Sequence, residues 1–328
     1  MDENHRSSEK HTEVEPVCDA WQQMLQGALA VFLLLGAMLM VYHYAPVPDH
    51  DLQAQVQQLH RQVDELKQEE AMPSLVLNRY RNSICYIFGV YHVGFGQQPP
   101  SLHARISGTG FVVAQGLLAT NRHVAEPWYG DPEADALIRK GAKPQLEKLV
   151  AFFPGFATPL NITPVALAAH GDLAVLSVDN SQVVDKLQPL PLAENAPTPG
   201  ELVAVIGYPM GVLGMVAKSP TAIYDRLAYR RDDIGAANEL AALSLIRPSA
   251  TCGHLGDAIG DKLIYDAPTA HGASGGPVFN SRGEVIGINA AYIDGFSGGT
   301  LGVSVRALRP LIEVAEQQAP AAAQKLHQ

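Results

Sequence analysis

Along the first 72 residues the apolar positions show three textures. Residues 1–23 are polar and charged with no period, a composition that cannot bury enough apolar surface to order itself. Residues 24–44 are then one apolar run, in which Gln26 and His43 are the polar exceptions. A run apolar on every side and of this length matches the roughly 20 residues that cross a bilayer core. Trp21 at one end and Tyr42 and Tyr44 at the other fall where aromatic side chains favour the membrane–water interface. A cleaved signal peptide is the alternative, but it starts short and basic, whereas this start is long and acidic, so a retained single-pass anchor is expected. Arg6 and Lys10 precede the run, and no Lys or Arg follows it before Arg61. That bias puts the N-terminus inside and the remainder on the extracytoplasmic, periplasmic side.

Pro46 and Pro48 are expected to end the membrane helix. Leu52, Val56, Leu59, Val63 and Leu66 then recur at alternating spacings of four and three, a heptad seam over residues 49–70 with a polar outer face. So short a seam is marginal alone, but a shared membrane raises the local concentration of copies. A coiled-coil stalk that makes a homo-oligomer is expected, against a lone amphipathic helix lying on the next domain.

From Pro73 onward short β-branched and apolar runs alternate with Gly, Pro and Asn. Runs at 83–93, 109–113, 116–120, 149–153, 172–178, 202–207, 262–267, 284–292 and 300–305 read as strands. No long helical pattern alternates with them, which disfavours a parallel α/β sheet. A mainly β fold of two antiparallel six-stranded barrels, with a site in the cleft between them, is expected. Charged segments 126–148 and 218–256 read as insertions, and 303–315 as a closing strand with a short helix. The expected organisation is a polar tail (1–23), a transmembrane helix (24–45), a stalk (46–72), the catalytic domain (73–312) and a C-terminal tail (313–328).

Composition narrows the partners. With 328 residues, 47% of them hydrophobic, the chain can bury a sizeable core. A formal net charge of −10 and the lack of any basic run argue against nucleic acid. Three cysteines are too few for a disulfide scaffold. Cys18 lies beside the apolar run, and pairing of Cys85 with Cys252 is left open because sequence does not give their separation.

The candidate chemistry sits on three short stretches. His271-Gly272-Ala273-Ser274-Gly275-Gly276-Pro277-Val278 holds a serine between glycines, next to the apolar run Val285-Ile286-Gly287-Ile288-Asn289. Glycines there permit positive φ and close approach, so that successive amides can be aimed beside the serine oxygen. Upstream lie Thr120-Asn121-Arg122-His123-Val124, a histidine closing a strand, and Asp172-Leu173-Ala174-Val175-Leu176, an aspartate opening one. A serine nucleophile needs a base for its proton and a carboxylate to hold the imidazole tautomer. The order His, Asp, Ser is one of the known orders of that triad. His170 and His271 flank two of the stretches and are read as neighbours, and Asp179 is the fallback orienter.

With Ser107-Gly108-Thr109-Gly110-Phe111-Val112-Val113 and Ala204-Val205-Ile206-Gly207-Tyr208-Pro209, these stretches stand in one register over roughly residues 80–312. In that register the chain resembles the chymotrypsin-fold serine peptidases, and more closely their HtrA/DegP-like branch. The resemblance implies His123 as general base, Asp172 as its orienter, Ser274 as nucleophile and the amides of Gly272 and Ser274 as the oxyanion hole. It implies a specificity pocket at Thr269, His271, Ile288, Asn289 and Ala290, with no cofactor and no metal. No acidic residue falls at the pocket base, near Pro268 and Thr269, so cleavage of protein or peptide substrates after small or medium apolar residues is expected. Two departures stand out. Ala273 replaces the aspartate or asparagine usual in that fold, so the oxyanion loop must be ordered without that side chain. The chain also ends at Gln328, without room for the peptide-binding PDZ domain usual in the branch. The alternative is a silent or latent peptide-binding module governed by a partner or by oligomerisation.

Overall fold

The computed structural model describes residues 17–44, 50–96, 99–179, 186–292 and 299–325. The chain divides into two compact units, Met1–Asp64 and Glu65–Gln328. In the first, α1 (Val17–Tyr44) carries an apolar span from Trp21 to Tyr44, none of it buried, long and apolar enough to cross a membrane. The prolines expected to stop it lie outside the described residues. Next comes α2 (His50–Tyr80), along which the five seam residues are between 38% and 63% exposed.

Pro73 was expected to mark the change to strand texture, yet α2 continues through it to Tyr80. A proline inside a helix removes one backbone bond, and packing supplies the compensation. Met72 and Val76 are buried, and Tyr80 stacks on Phe279 with ring centroids 5.5 Å apart and planes 6° from parallel. The last turns of α2 therefore belong to the second unit's core.

That unit contains β1 (Ile84–Gly94), β2 (Leu102–Ala114), β3 (Leu117–Thr120), α3 (Arg122–Ala125), α4 (Pro132–Arg139), β4 (Lys143–Phe152), β5 (Leu160–Leu167) and β6 (Ala174–Val178). These strands close into a barrel in the order β1-β2-β3-β6-β5-β4. There follow β7 (Leu202–Gly207), α5 (Gly211–Ala217), α6 (Thr221–Leu227), α7 (Asp233–Ala242), β8 (Ser249–Ile259), β9 (Lys262–Tyr265), β10 (Pro277–Phe279), β11 (Val285–Tyr292), β12 (Thr300–Ser304) and α8 (Val305–Lys325). The second barrel is β10-β11-β12-β9-β8-β7. Pairing within both barrels is antiparallel.

Three strands escaped the sequence pattern. β5 and β10 are short or broken by proline, and most of β8 lies inside the segment expected to be an insertion. The remainder of 218–256 folds as α6 and α7, and α8 runs well beyond the short helix expected at 303–315. Within 126–148, α4 starts where Asp131 Oδ1 accepts the amides of Glu133 and Ala134 and Pro132 takes the first turn.

Each barrel has its own interior, built from Ile87, Val112, Leu118 and Leu176 in the first and from Val205, Leu263, Val278 and Ile286 in the second. Between them, Tyr86, Phe111, Ile206, Tyr208 and Phe279 join one continuous core. The Tyr208 hydroxyl donates to Ile84 O at 3.0 Å across that seam. Burial pushes its pKa up, which keeps it a donor. Cys85 is buried and donates to Gly110 O, Cys252 is exposed, and both are free, so the disulfide left open by the sequence does not form.

Candidate active site

The first barrel supplies the basic and acidic partners. His123 was expected to close β3, but the strand stops at Thr120, and His123 sits in the single turn of α3. Asn121 sets the entry to that turn and donates from Nδ2 to Asp172 O at 2.8 Å. Asp172 lies just before β6 and uses both carboxylate oxygens on one residue. Oδ1 accepts the His123 amide at 2.9 Å, and Oδ2 meets His123 Nδ1 at 2.7 Å. A carboxylate facing Nδ1 assigns the proton to that nitrogen and leaves Nε2 with a lone pair. Asp179, the fallback orienter, lies past the far end of β6, where its amide donates to Asn161 O.

The second barrel supplies the serine. Gly272 and Gly275 have φ of +91° and +88°. At Gly275 a Cβ would collide with Thr109 O and with Thr120 Oγ1, so the turn can press against the first barrel only without a side chain. The Thr109 amide then donates to Ser274 O at 2.8 Å.

The carbonyls on either side explain where the amides of Gly272 and Ser274 point. A trans peptide directs its N–H opposite to its C=O. His271 O accepts the Met210 amide at 2.6 Å, which turns the Gly272 N–H the other way. Ala273 O accepts the Gly276 amide and Asn289 Nδ2, both at 3.0 Å, which turns the Ser274 N–H the other way. Between them, Thr109 Oγ1 donates to Gly272 O at 2.7 Å and accepts the Tyr208 amide at 3.1 Å. Among the described residues no acceptor takes either of the two free amides, and both residues line the cleft. Ala273 therefore needs no polar side chain, because its loop is ordered by Met210, Thr109 and Asn289.

Asn289 was expected to bind substrate. It lines the cleft, but its amide is engaged by the fold: Nδ2 also reaches Thr269 Oγ1 at 3.1 Å, and Oδ1 accepts from Tyr265 OH at 2.8 Å. Burial pushes the Tyr265 hydroxyl's pKa up, so it stays protonated and able to donate. Replacing Asn289 with leucine strands Tyr265 OH and weakens the hold on Ala273 O. The expected cost is about 2–4 kcal/mol, at about 1–3 kcal/mol per unsatisfied buried group. Thermal unfolding checks it, and an unchanged midpoint would contradict this network.

The cleft encloses about 810 Å³ and brings together His123, Asp172, Thr269, His271, Gly272, Ser274, Asn289 and Ala290. Ile288 is not among them; it is fully buried in the core. The Ser274 hydroxyl donates to Ala290 O at 3.0 Å, and among the described residues no hydrogen bond joins it to His123. No three His, Cys, Asp or Glu side chains among the described residues converge as a metal site. Thr109, Met210 and Tyr265 had no sequence-assigned role. The close-packed glycines on either side of Thr109 were the one available signal, since a Cβ at Gly108 would come within 2.6 Å of Val124.

Two six-stranded barrels with His, Asp and Ser converging between them define the class of chymotrypsin-like serine hydrolases. The sequence matches the trypsin-like peptidase domain over residues 108–288, and the chain belongs to that family. It is 29% identical over 205 residues to a DegP-like periplasmic serine endoprotease of Rhizobium meliloti, covering 62% of this chain and 31% of that protein's length. It is 25% identical over 244 residues to a glutamyl endopeptidase of Staphylococcus epidermidis, covering 69% of this chain and 70% of the relative. A crystal structure of a serine endoprotease from Yersinia pestis superposes with a TM-score of 0.48 at 18% identity, over 75% of this chain and 67% of that one.

Proposed function

We propose that the protein is a membrane-anchored serine endopeptidase that cleaves proteins through an acyl-enzyme intermediate. The observation that carries this function is the double contact of Asp172 with His123, beside a Ser274 whose loop leaves two amides without an acceptor. The Ser274 hydroxyl leaves Ala290 O by a change of rotamer and gives its proton to His123 Nε2 as it attacks the peptide carbonyl. The charge that develops on the carbonyl oxygen falls on the Gly272 and Ser274 amides, a contribution worth on the order of 10²–10³ in rate per donor. Asp172 holds the imidazole tautomer and stabilises the imidazolium. His123 then protonates the leaving amine, and a water molecule repeats the sequence to free the acyl group.

The apolar span of α1 supports a single-pass anchor, and the charge bias around it supports an extracytoplasmic catalytic part. The exposed seam residues Leu52, Val56, Leu59, Val63 and Leu66 support assembly of copies of this chain. Thr269, Ala270, Ala290 and Ala291 give the cleft one small, uncharged wall, and no carboxylate lines the cleft except Asp172 among the described residues. The chain is therefore expected to cut after small or medium apolar residues. A peptide library digested by the full-length protein tests this: cuts following Ala or Val are expected, whereas cuts mainly after Lys, Arg or Glu would contradict it.

A further inference from the structure

The helices inserted between β7 and β8 have a face that their own core does not use. Val212, Met215 and Val216 of α5 are buried with Leu227 of α6 and Ala236 and Leu240 of α7. Met210, just before α5, is 62% exposed, and Leu213 on α5 is 55% exposed. Both line the catalytic cleft, as does Ile106 of β2. Large apolar side chains held in water at the wall of a cleft mark a surface that binds something apolar.

The backbone that carries these side chains is held in place. Met210 has a φ of +62°, a left-handed conformation that a residue with a side chain keeps only where its surroundings fix it. Its amide is held by His271 O at 2.6 Å, and Gly211 is wedged against Ser107, where a Cβ would collide. The insertion is tied to β2 by Arg105, whose Nη1 donates to Asp233 Oδ2 at 3.0 Å and to Arg231 O at 3.3 Å. Arg105 is the neighbour of Ile106, so this tie sets the separation of the apolar groups.

Their position relative to the reacting bond follows from Gly272 and Ser274. Gly272 packs against the Tyr208–Gly211 segment, where a Cβ would lie 2.6 Å from Tyr208 O and 2.8 Å from Gly211 N. Ser274 Oγ reaches Ala290 on the opposite wall. A peptide with its carbonyl at the two free amides therefore has one flank along Thr269 and Ala290 and the other along Ile106, Met210 and Leu213. The first flank takes the acyl half in the function proposed above. We propose that the second flank is a binding site for the leaving-group half, and that it selects substrates with a large apolar side chain directly after the cut. This inference rests on the endopeptidase function.

The test uses the full-length protein and peptides with one constant acyl half. The residue after the cut is varied among Leu, Phe, Gly, Ser and Asp, and kcat/KM is measured for each. Leu and Phe are expected to exceed Gly about 10–100-fold, the range that an apolar pocket provides. In the double variant Met210→Asn with Leu213→Gln that ratio is expected to fall close to one. Asparagine tolerates the left-handed backbone and glutamine is a good helix former, so the insertion keeps its fold, which thermal unfolding verifies. The conservative Leu213→Met is expected to keep the preference. A wild-type protein indifferent to the residue after the cut overturns this inference and leaves the endopeptidase function standing. A preference that survives the double variant assigns it to other residues and also overturns it. If no peptide is cut and an active-site phosphonate fails to label Ser274, the endopeptidase function itself falls.

Discussion

Replacing Ser274 with alanine is expected to lower kcat on an unfolded protein substrate by about 10⁶, the loss typical of a missing serine nucleophile in a triad. The residual rate would come from the two free amides and substrate binding. The fold should hardly notice. Among the described residues the hydroxyl makes one hydrogen bond, to Ala290 O, and a neutral bond of this kind contributes about 1 kcal/mol. Gly272, Gly275 and the donors from Thr109, Met210 and Asn289 remain to hold the loop. The variant should therefore unfold within a few degrees of the wild type while its proteolysis disappears. A variant that retains more than a tenth of the activity would move the nucleophile elsewhere.

Asp172→Asn is expected to cost about 10⁴ in kcat through the tautomer alone. In the native site one carboxylate accepts from both the His123 amide and Nδ1. An asparagine can still accept the amide through its oxygen, but it then turns an NH₂ group towards Nδ1. That nitrogen must become the acceptor, the proton moves to Nε2, and the imidazole can no longer take the serine proton. The main-chain contact from Asn121 Nδ2 to the carbonyl of residue 172 is untouched, so α3 and β6 stay in register. A fall of less than tenfold would mean that Asp172 does not orient the base.

Much of this site was legible before the fold was known. His123, Asp172 and Ser274 stand in short stretches whose residue types serve few other purposes together, and the glycines around Ser274 signal a turn that only close approach demands. What orders the loop was not legible. Thr109 and Gly272 are 163 positions apart, and nothing in either neighbourhood names the other. The pairing exists because β2 of one barrel meets the nucleophile loop of the other. Asn289 looked like a substrate residue because it ends a motif, yet Tyr265 and Ala273 engage its amide. Ile288 was misread because β11 is irregular between Asn289 and Ala291, so neighbouring positions of the motif divide between cleft and core in a way its spacing does not show. β8 was hidden for another reason. Leu255 is the one buried residue of Ser249–Ile259, so the strand lacks apolar alternation and is specified by its pairing with β7 and β9. At Pro73 the local rule for helix termination gave way to burial of Met72 and Val76 and to the stacking of Tyr80 on Phe279.

The central claim is that Ser274 is a nucleophile activated by His123 and Asp172. Its most direct test is to treat the full-length protein with a fluorophosphonate, follow casein hydrolysis, and map the modified residue by mass spectrometry. One probe per chain on Ser274 is predicted, with activity lost in proportion to labelling, no labelling of Ser274→Ala, and greatly slowed labelling of Asp172→Asn. Casein hydrolysis that persists after full treatment, or a probe found on a different serine, would contradict it.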